Sequence, residues 1–197
     1  MASVNKKGTV KAKKAGKATI TARVSSKKLR CNVVVHKFSA KKKDVLVAYF
    51  SQTGTTRAVA KKIRKLTGGD LLQIKSKKKY TSNYDKLVKI AKKEIDKNTR
   101  PKVATAAKNI RSYDVIYVGY PIWWHTAPMT VGTFLERYDL TGKTIYLVSQ
   151  SASMDRSQYE ESLVFIRGCA KGAMVDNGVF SKDNSVITNY INQNVLK

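Results

Sequence analysis

For residues 44–197 the sequence predicts an α/β fold of the doubly wound type, a five-stranded parallel sheet with helices on both faces. Three observations carry this. Apolar runs of strand length occur at 45–50, 115–120 and 144–148; a short loop follows each; and each loop leads into a stretch read as a helix. A strand that is apolar on both faces needs helical cover on both sides, which parallel sheets supply.

The first unit is Val45-Leu46-Val47-Ala48-Tyr49-Phe50, the turn SQTGTT, and a helical stretch from Arg57 with Val59 and Ile63 four apart. A second strand is expected at 71–74. The amphipathic helix at 84–98 places Leu87, Ile90 and Ala91 together, with Ile95 following. Val115–Tyr120 is the third strand, with a loop at 121–127 and a helix near 128–138. Thr144–Val148 is the fourth, with a loop at 149–157 and a helix near 158–170. A short fifth strand at 173–175 and a closing helix at 184–194 complete the alternation. In such sheets ligands bind beyond the carboxyl ends of the strands, where strand order reverses, so 51–56, 121–127 and 149–157 are the loops where a site is expected.

Ahead of this body stands a small β segment at 1–36 and a basic linker at 37–43. Residues 9–12, 18–24 and 29–35 read as three short strands. Their alternation predicts one buried face with Ile20, Ala22 and Val24 on the second and Leu29, Cys31, Val33 and Val35 on the third, so Cys31 is expected in a core. Cys169, near a helix end among apolar residues, is likewise expected to be packed.

Charge is lopsided. The 197 residues hold 39 Lys+Arg and 13 Asp+Glu, and residues 1–43 alone hold fourteen bases and no acid, leaving +14 there and +12 on 44–197. Both parts would be drawn to polyanions, including anionic wall polymers, through contacts that weaken with salt. No zinc-finger spacing, RNP aromatics or basic zipper is present, which argues against sequence-specific nucleic-acid recognition. No run of eighteen apolar residues offers a membrane-spanning helix. His125 and His36 are the only histidines and lie far apart in sequence, and the two cysteines have no metal-ligand spacing, so no metal site is expected.

Two loops point to a ligand. In Ser51-Gln52-Thr53-Gly54-Thr55-Thr56, four hydroxyls surround a glycine just before a helix, whose first N–H groups and dipole suit a phosphate. On the loop alone, Thr55 or Thr56 could equally be an ordinary helix cap. Neither a Walker lysine nor GxGxxG is present. In Tyr120-Pro121-Ile122-Trp123-Trp124-His125-Thr126-Ala127-Pro128, both tryptophans of the chain sit in a proline-bounded loop at a strand's carboxyl end, where they can wall a planar ligand. His125 either donates to a carbonyl of that ligand or is a surface residue.

YFSQTGTTRAVA and VIYVGYPIWWHTAPMTVGTFLERYDLTGKTI resemble the flavodoxin family over about 44–180, particularly members whose aromatic loop reads GYPIWW. The resemblance implies strand order 2-1-3-4-5 and noncovalently held FMN. It implies that Ser51, Gln52, Thr53, Gly54, Thr55 and Thr56 hold the 5′-phosphate, that Pro121, Ile122, Trp123, Trp124, His125 and Thr126 line the isoalloxazine, and that Ser149, Gln150, Ser151, Ala152 and Ser153 approach its far side. Similar proteins usually carry glycines in that third loop. Here it reads SQSASMDRS, and added Cβ atoms would narrow the site or oppose positive φ. Residues 4–35 resemble the C-terminal half of the bacterial immunoglobulin-like group 2 repeat, a spacer of cell-surface proteins. A cell-surface location follows if the chain is the tail of a longer secreted protein, and a cytoplasmic one otherwise.

The leading reading is an FMN-dependent electron carrier or a small quinone/NAD(P)H oxidoreductase, acting with a redox partner protein or a small quinone-like acceptor. Flavodoxins that shuttle electrons are typically acidic, whereas this body is basic. Its charge is expected to raise the flavin potential and to select acidic or anionic partners. The competing reading is a nonenzymatic cationic surface or scaffold module with a degenerate flavin site. Tyr80 and Tyr84, after the KSKKK run, are candidates to reach the flavin side by an excursion of the chain.

Overall fold

The computed structural model describes residues 2–5, 8–14, 16–35 and 45–195. The N-terminal strands and the α/β body form separate units. The body contains, in order, β5 (Val45–Tyr49), α1 (Thr55–Thr67), β6 (Asp70–Gln73), α2 (Tyr84–Asp96), β7 (Val115–Pro121), α3 (Met129–Glu136), β8 (Thr144–Gln150), α4 (Arg156–Cys169), β9 (Met174–Val175), β10 (Val179–Phe180) and α5 (Asn184–Val195). Before it come β1 (Ala2–Val4), β2 (Val10–Ala12), β3 (Gly16–Val24) and β4 (Lys27–Val35).

All pairings in the body's sheet are parallel, and the order is β6-β5-β7-β8-β10, the expected 2-1-3-4-5 arrangement. Alternation along the central strands sorts two cores. Leu46, Ala48, Ile116, Val118, Tyr120, Ile145 and Leu147 join a buried cluster with Val131, Phe134 and Leu135 of α3 and Leu163 and Ile166 of α4. On the other side, α1 packs on β5 and β7. There Lys62 Nζ donates to Asn184 O at the start of α5, and Tyr190 of α5 meets Tyr146 edge to face at 5.2 to 6.2 Å spacing along the row Tyr117–Tyr146–Tyr190. At Gly119 α1 comes close to β7: a Cβ there would lie 3.3 Å from Thr56 Cγ2.

The fifth strand is longer than 173–175 and broken. β9 pairs with Thr144 and Ile145, and β10 with Val148 and Ser149. Three residues, 176–178, therefore face two on β8, a bulge by one residue. Asp176 Oδ1 holds it, accepting from Gly178 N at 2.8 Å and Tyr190 Oη at 2.6 Å, while Tyr159 Oη donates to Asn177 O. Gly178 has φ 69°, and a Cβ there would collide with Tyr159 Oη and approach Leu147 O at 2.8 Å.

The N-terminal segment departs from expectation. It holds four strands, paired as two separate two-stranded antiparallel sheets, β1-β2 and β3-β4. The predicted face exists by register, since Ala18 opposes Val33, Ile20 opposes Cys31 and Ala22 opposes Leu29. Two strands cannot bury it: Ile20, Val33 and Val35 are only half-buried, Ala22 and Cys31 are exposed, and Leu29 is 62% exposed. Cys31 is thus a surface thiol rather than a core residue. The Val24 side chain, the linker 37–43 and His36 lie outside the described residues. Cys169 is packed as expected, and burial first, then its hydrogen bond with Glu136, pushes its thiol up to about 12.

Replacing Gly178 by alanine combines an unfavourable φ with a collision between two core elements, and is expected to cost about 2 kcal/mol or more of unfolding free energy. Urea denaturation checks this; an unchanged midpoint would show that the bulge gives way freely.

Candidate functional site

The three expected loops leave the carboxyl ends of the adjacent strands β5, β7 and β8. Short bonds tie them together: Phe50 N donates to Gly119 O at 2.9 Å, and Ile122 N to Gln150 O at 2.8 Å. The crossover leaving β5 runs to β6 on one side and the crossover leaving β7 runs to β8 on the other, so strand order reverses between β5 and β7, the place where a doubly wound sheet binds its ligand.

In the first loop Ser51 Oγ accepts from Gly54 N at 3.1 Å, closing a turn, and Gly54 takes φ 102° as N-cap of α1. Neither Thr55 nor Thr56 caps the helix; α1 begins without any side-chain cap, whereas Asn83 caps α2 and Asp155 caps α4. The first helical bond is Ala58 N to Gly54 O, so among the described residues the N–H groups of Thr55, Thr56 and Arg57 have no partner. No acidic residue occupies that first turn. Thr53 and Thr55 are exposed, with hydroxyls 3.3 Å apart. The Thr56 side chain is buried, leaving only its backbone facing the loop, and Gln52 Nε2 donates to Thr81 O.

The second loop closes as a two-residue hairpin. Trp123 N donates to Thr126 O at 2.8 Å and Thr126 N to Trp123 O at 3.1 Å, while Trp124 and His125 both take positive φ, 46° and 63°. That is the pattern of a type I′ turn, usually made by Asn-Gly, and left-handed backbone costs about 1–2 kcal/mol for each of these residues. The turn is anchored at both sides. Trp124 Nε1 donates to Val88 O of α2 at 3.0 Å, and His125 Nδ1 lies 3.3 Å from Glu161 Oε1 of α4. The tryptophans therefore diverge rather than stack as a pair. Trp123 is half-buried, edge to face with Phe50 and Tyr80 at 5.2 Å each, and Trp124 is 44% exposed. Pro121 is half-buried. Ile122 is buried in the core cluster, so its side chain faces inward, away from the crevice.

In the third loop Ser149 is fully buried, and its hydroxyl donates to Tyr120 O at 2.8 Å, so this residue is structural. Gln150 Nε2 donates to Ser181 O. Ser151 Oγ accepts from Met154 N, and Met154 carries the positive φ (56°) that 149–153 avoid. Residues 149–153 thus need no left-handed conformation, and the left-handed residue of the loop is Met154. Lys182 Nζ holds Ala152 O, and the N–H groups of Ala152 and Ser153 have no partner among the described residues. Two further buried atoms lack partners here, Thr126 Oγ1 and Gln150 Oε1.

One side chain from outside these loops joins the site, Tyr80. Residues 74–83 return Tyr80 against Trp123 and Phe50, as its position after KSKKK allowed, while Tyr84 is 74% exposed. Tyr80 Oη donates to Glu94 Oε2 at 2.8 Å and lies 2.8 Å from Thr130 Oγ1, which then donates to it. Burial is the main cause that raises both groups: the phenol loses ionisability, and the Glu94 carboxyl is held above its ordinary range despite the Tyr80 bond. A carboxyl raised in the folded state makes stability fall as pH rises through its unfolded and then its folded value. Glu94→Gln keeps an acceptor for Tyr80 and removes the titration. Its urea midpoint should gain on wild type as pH rises from about 4 to about 7; a constant difference would mean the carboxyl is not held up by burial.

The family model for flavodoxin matches residues 44–194. A candidate flavoprotein of Bacteroides eggerthii is similar to the chain at 31% identity with a TM-score of 0.68, covering 78% of this chain and 99% of its own. A second, from Bacteroides uniformis, gives 30% and 0.63, covering 77% and 99%. A flavoprotein of Lactobacillus acidophilus, solved in complex with FMN, shares the fold at 24% identity and a TM-score of 0.61, covering 74% and 97%. No curated protein matches the chain. With the family model matched over most of the chain, and with the 2-1-3-4-5 sheet carrying its crevice between β5 and β7, this chain belongs to the flavodoxin family.

Proposed function

We propose that this flavodoxin binds one FMN noncovalently in the crevice beyond β5 and β7 and transfers electrons through it. The observation that carries the reading is the uncapped N-terminus of α1, with three unpartnered N–H groups and no acid, beside an aromatic turn at the same end of the sheet. The residues present fit the group. Thr53, Thr55 and the N–H groups of 55–57 would hold the phosphate. Trp124 and the half-buried Trp123 would wall the ring, and the N–H groups of Ala152 and Ser153, with Thr126 Oγ1 and Gln150 Oε1, supply polar atoms that lack protein partners. FMN supplies the redox chemistry, so no protein nucleophile or general base is required. Ser51, Gly54, Ile122 and Ser149 act by shaping the loops, since their polar atoms are committed or their side chains turned inward.

The +12 of residues 44–197 would hold the added negative charge of a reduced flavin more favourably than an acidic relative does, and would favour an acidic or anionic partner. We read residues 1–36 as a spacer similar to the bacterial immunoglobulin-like group 2 repeat, joined by 37–43 to the flavin domain at 44–197. The competing reading, a cationic surface module without flavin, draws on the glycine-free third loop.

Titrating ligand-free protein into FMN and following flavin fluorescence should give saturable binding with Kd below about 1 µM, weakened about tenfold by Thr53→Ala and severalfold by Trp124→Ala. No quenching at tens of micromolar (about 50 µM) would hand the lead to the surface module.

The exposed aromatic turn suits a carrier that meets its partner at the ring edge. FMN-loaded protein should therefore consume NAD(P)H with a quinone only when a separate reductase is added. Steady turnover without one would make it a quinone reductase.

A further inference from the structure

A cavity of about 450 Å³ opens between the segment that follows β6, α2 and the segment 99–102, and no residue of the loops that follow β5, β7 and β8 lines it. Its walls come from 76–80, from Ile90 and Glu94 of α2, and from 99–102. Two antiparallel links hold the walls: Lys77 N donates to Lys102 O at 2.6 Å and Ala104 N to Lys75 O at 2.8 Å, with Ser76 bridging Val103. Lys75 N also donates to Thr105 Oγ1, which in turn donates to Gln73 O. The volume lies in the range of small-molecule sites.

Lys77, Lys78, Lys79 and Lys102 surround this cavity. Among the described residues none of the four ammonium groups has an ion-pair or hydrogen-bond partner. The only carboxyl in the wall, Glu94, does not pair with them; its Oε2 is committed to Tyr80. Between the lysines the wall is apolar, with Ile90, Pro101 and the Tyr80 ring. Four uncompensated cations over a concave apolar floor call for an occupant with a flat apolar body and a multiply charged anionic end. A phosphomonoester supplies two charges and three acceptor oxygens, which lysines hold as point charges.

We propose that this cavity is a second binding site, for a small aromatic phosphomonoester whose phosphate meets Lys77, Lys78, Lys79 and Lys102 and whose ring lies on Ile90, Pro101 and Tyr80. The proposal goes beyond the flavin reading and does not depend on it, because no residue of loops 51–56, 121–127 or 149–157 lines the cavity. Tyr80 alone is shared, since its ring edge meets Trp123.

The test is calorimetric titration of 1-naphthyl phosphate into the full chain, with and without saturating FMN, alongside 1-naphthalenemethanol and inorganic phosphate. The aryl phosphate should bind at least about tenfold more tightly than either control. Lys78→Ala/Lys102→Ala should weaken it about tenfold while leaving FMN affinity unchanged, and saturating FMN should leave it within about threefold. Equal affinity for the neutral aromatic would reduce the cavity to a greasy surface. Equal affinity for inorganic phosphate would reduce it to general cationic attraction, and loss on adding FMN would place the probe in the flavin crevice. If the protein binds no FMN at all, the arm without FMN decides this proposal by itself.

Discussion

Burial of the central strands on both faces is the constraint on which the rest of the molecule depends. Every residue of β5 is buried, as are the five inner residues of β7 and of β8. Such strands are stable only when helices cover each side, so the connections must be crossovers, and right-handed crossovers running outward from β5 to β6 and back from β6 to β7 put α1 on one face and α2 on the other. The crevice between β5 and β7 is what that reversal leaves open. The polar loops are then positioned by apolar packing far from any ligand, and Gly119, which admits the Thr56 methyl, fixes how closely the start of α1 approaches β7.

Strands with no surface to alternate were legible because a run such as VLVAYF has only one stable environment. The closing strand was legible only in part. Its bulge depends on Asp176 accepting from Gly178 and from Tyr190, the latter fourteen residues further on in α5, and periodicity carries no trace of that. The N-terminal hairpin shows the opposite failure. Alternation assigned the correct face to Cys31, because Ile20 and Cys31 do pair, but a face becomes a core only when something lies against it.

The same distinction governs the site. Residue types in 51–56 and 121–126 announced a ligand, yet their side-chain directions were set by tertiary neighbours. Ser149, expected to approach the far side of a ring, commits its hydroxyl to Tyr120 O; Thr56, for which capping and phosphate binding were equally open, packs inward. The two tryptophans looked like one wall for a planar ligand. Their backbone, however, turns through a left-handed hairpin, which sends one indole to Phe50 and Tyr80 and the other to Val88. Tyr80 needed an excursion of 74–83 whose closure rests on bonds to 102–105, thirty residues away.

Holding Trp124 and His125 left-handed without glycine has a structural logic. An Asn-Gly turn would adopt the same backbone at less cost but would present no aromatic surface and no anchor to either flanking helix. Here the unfavourable backbone is offset by the indole bond to α2, the imidazole contact with Glu161 of α4 and the aromatic packing of Trp123, each a modest term on its own. Because the anchors sit on two different helices, the exposed Trp124 is held by the fold rather than by the ligand. A wall fixed in advance has little entropy left to lose when a planar group arrives, so the strain in two residues is retained as preorganisation of the whole turn.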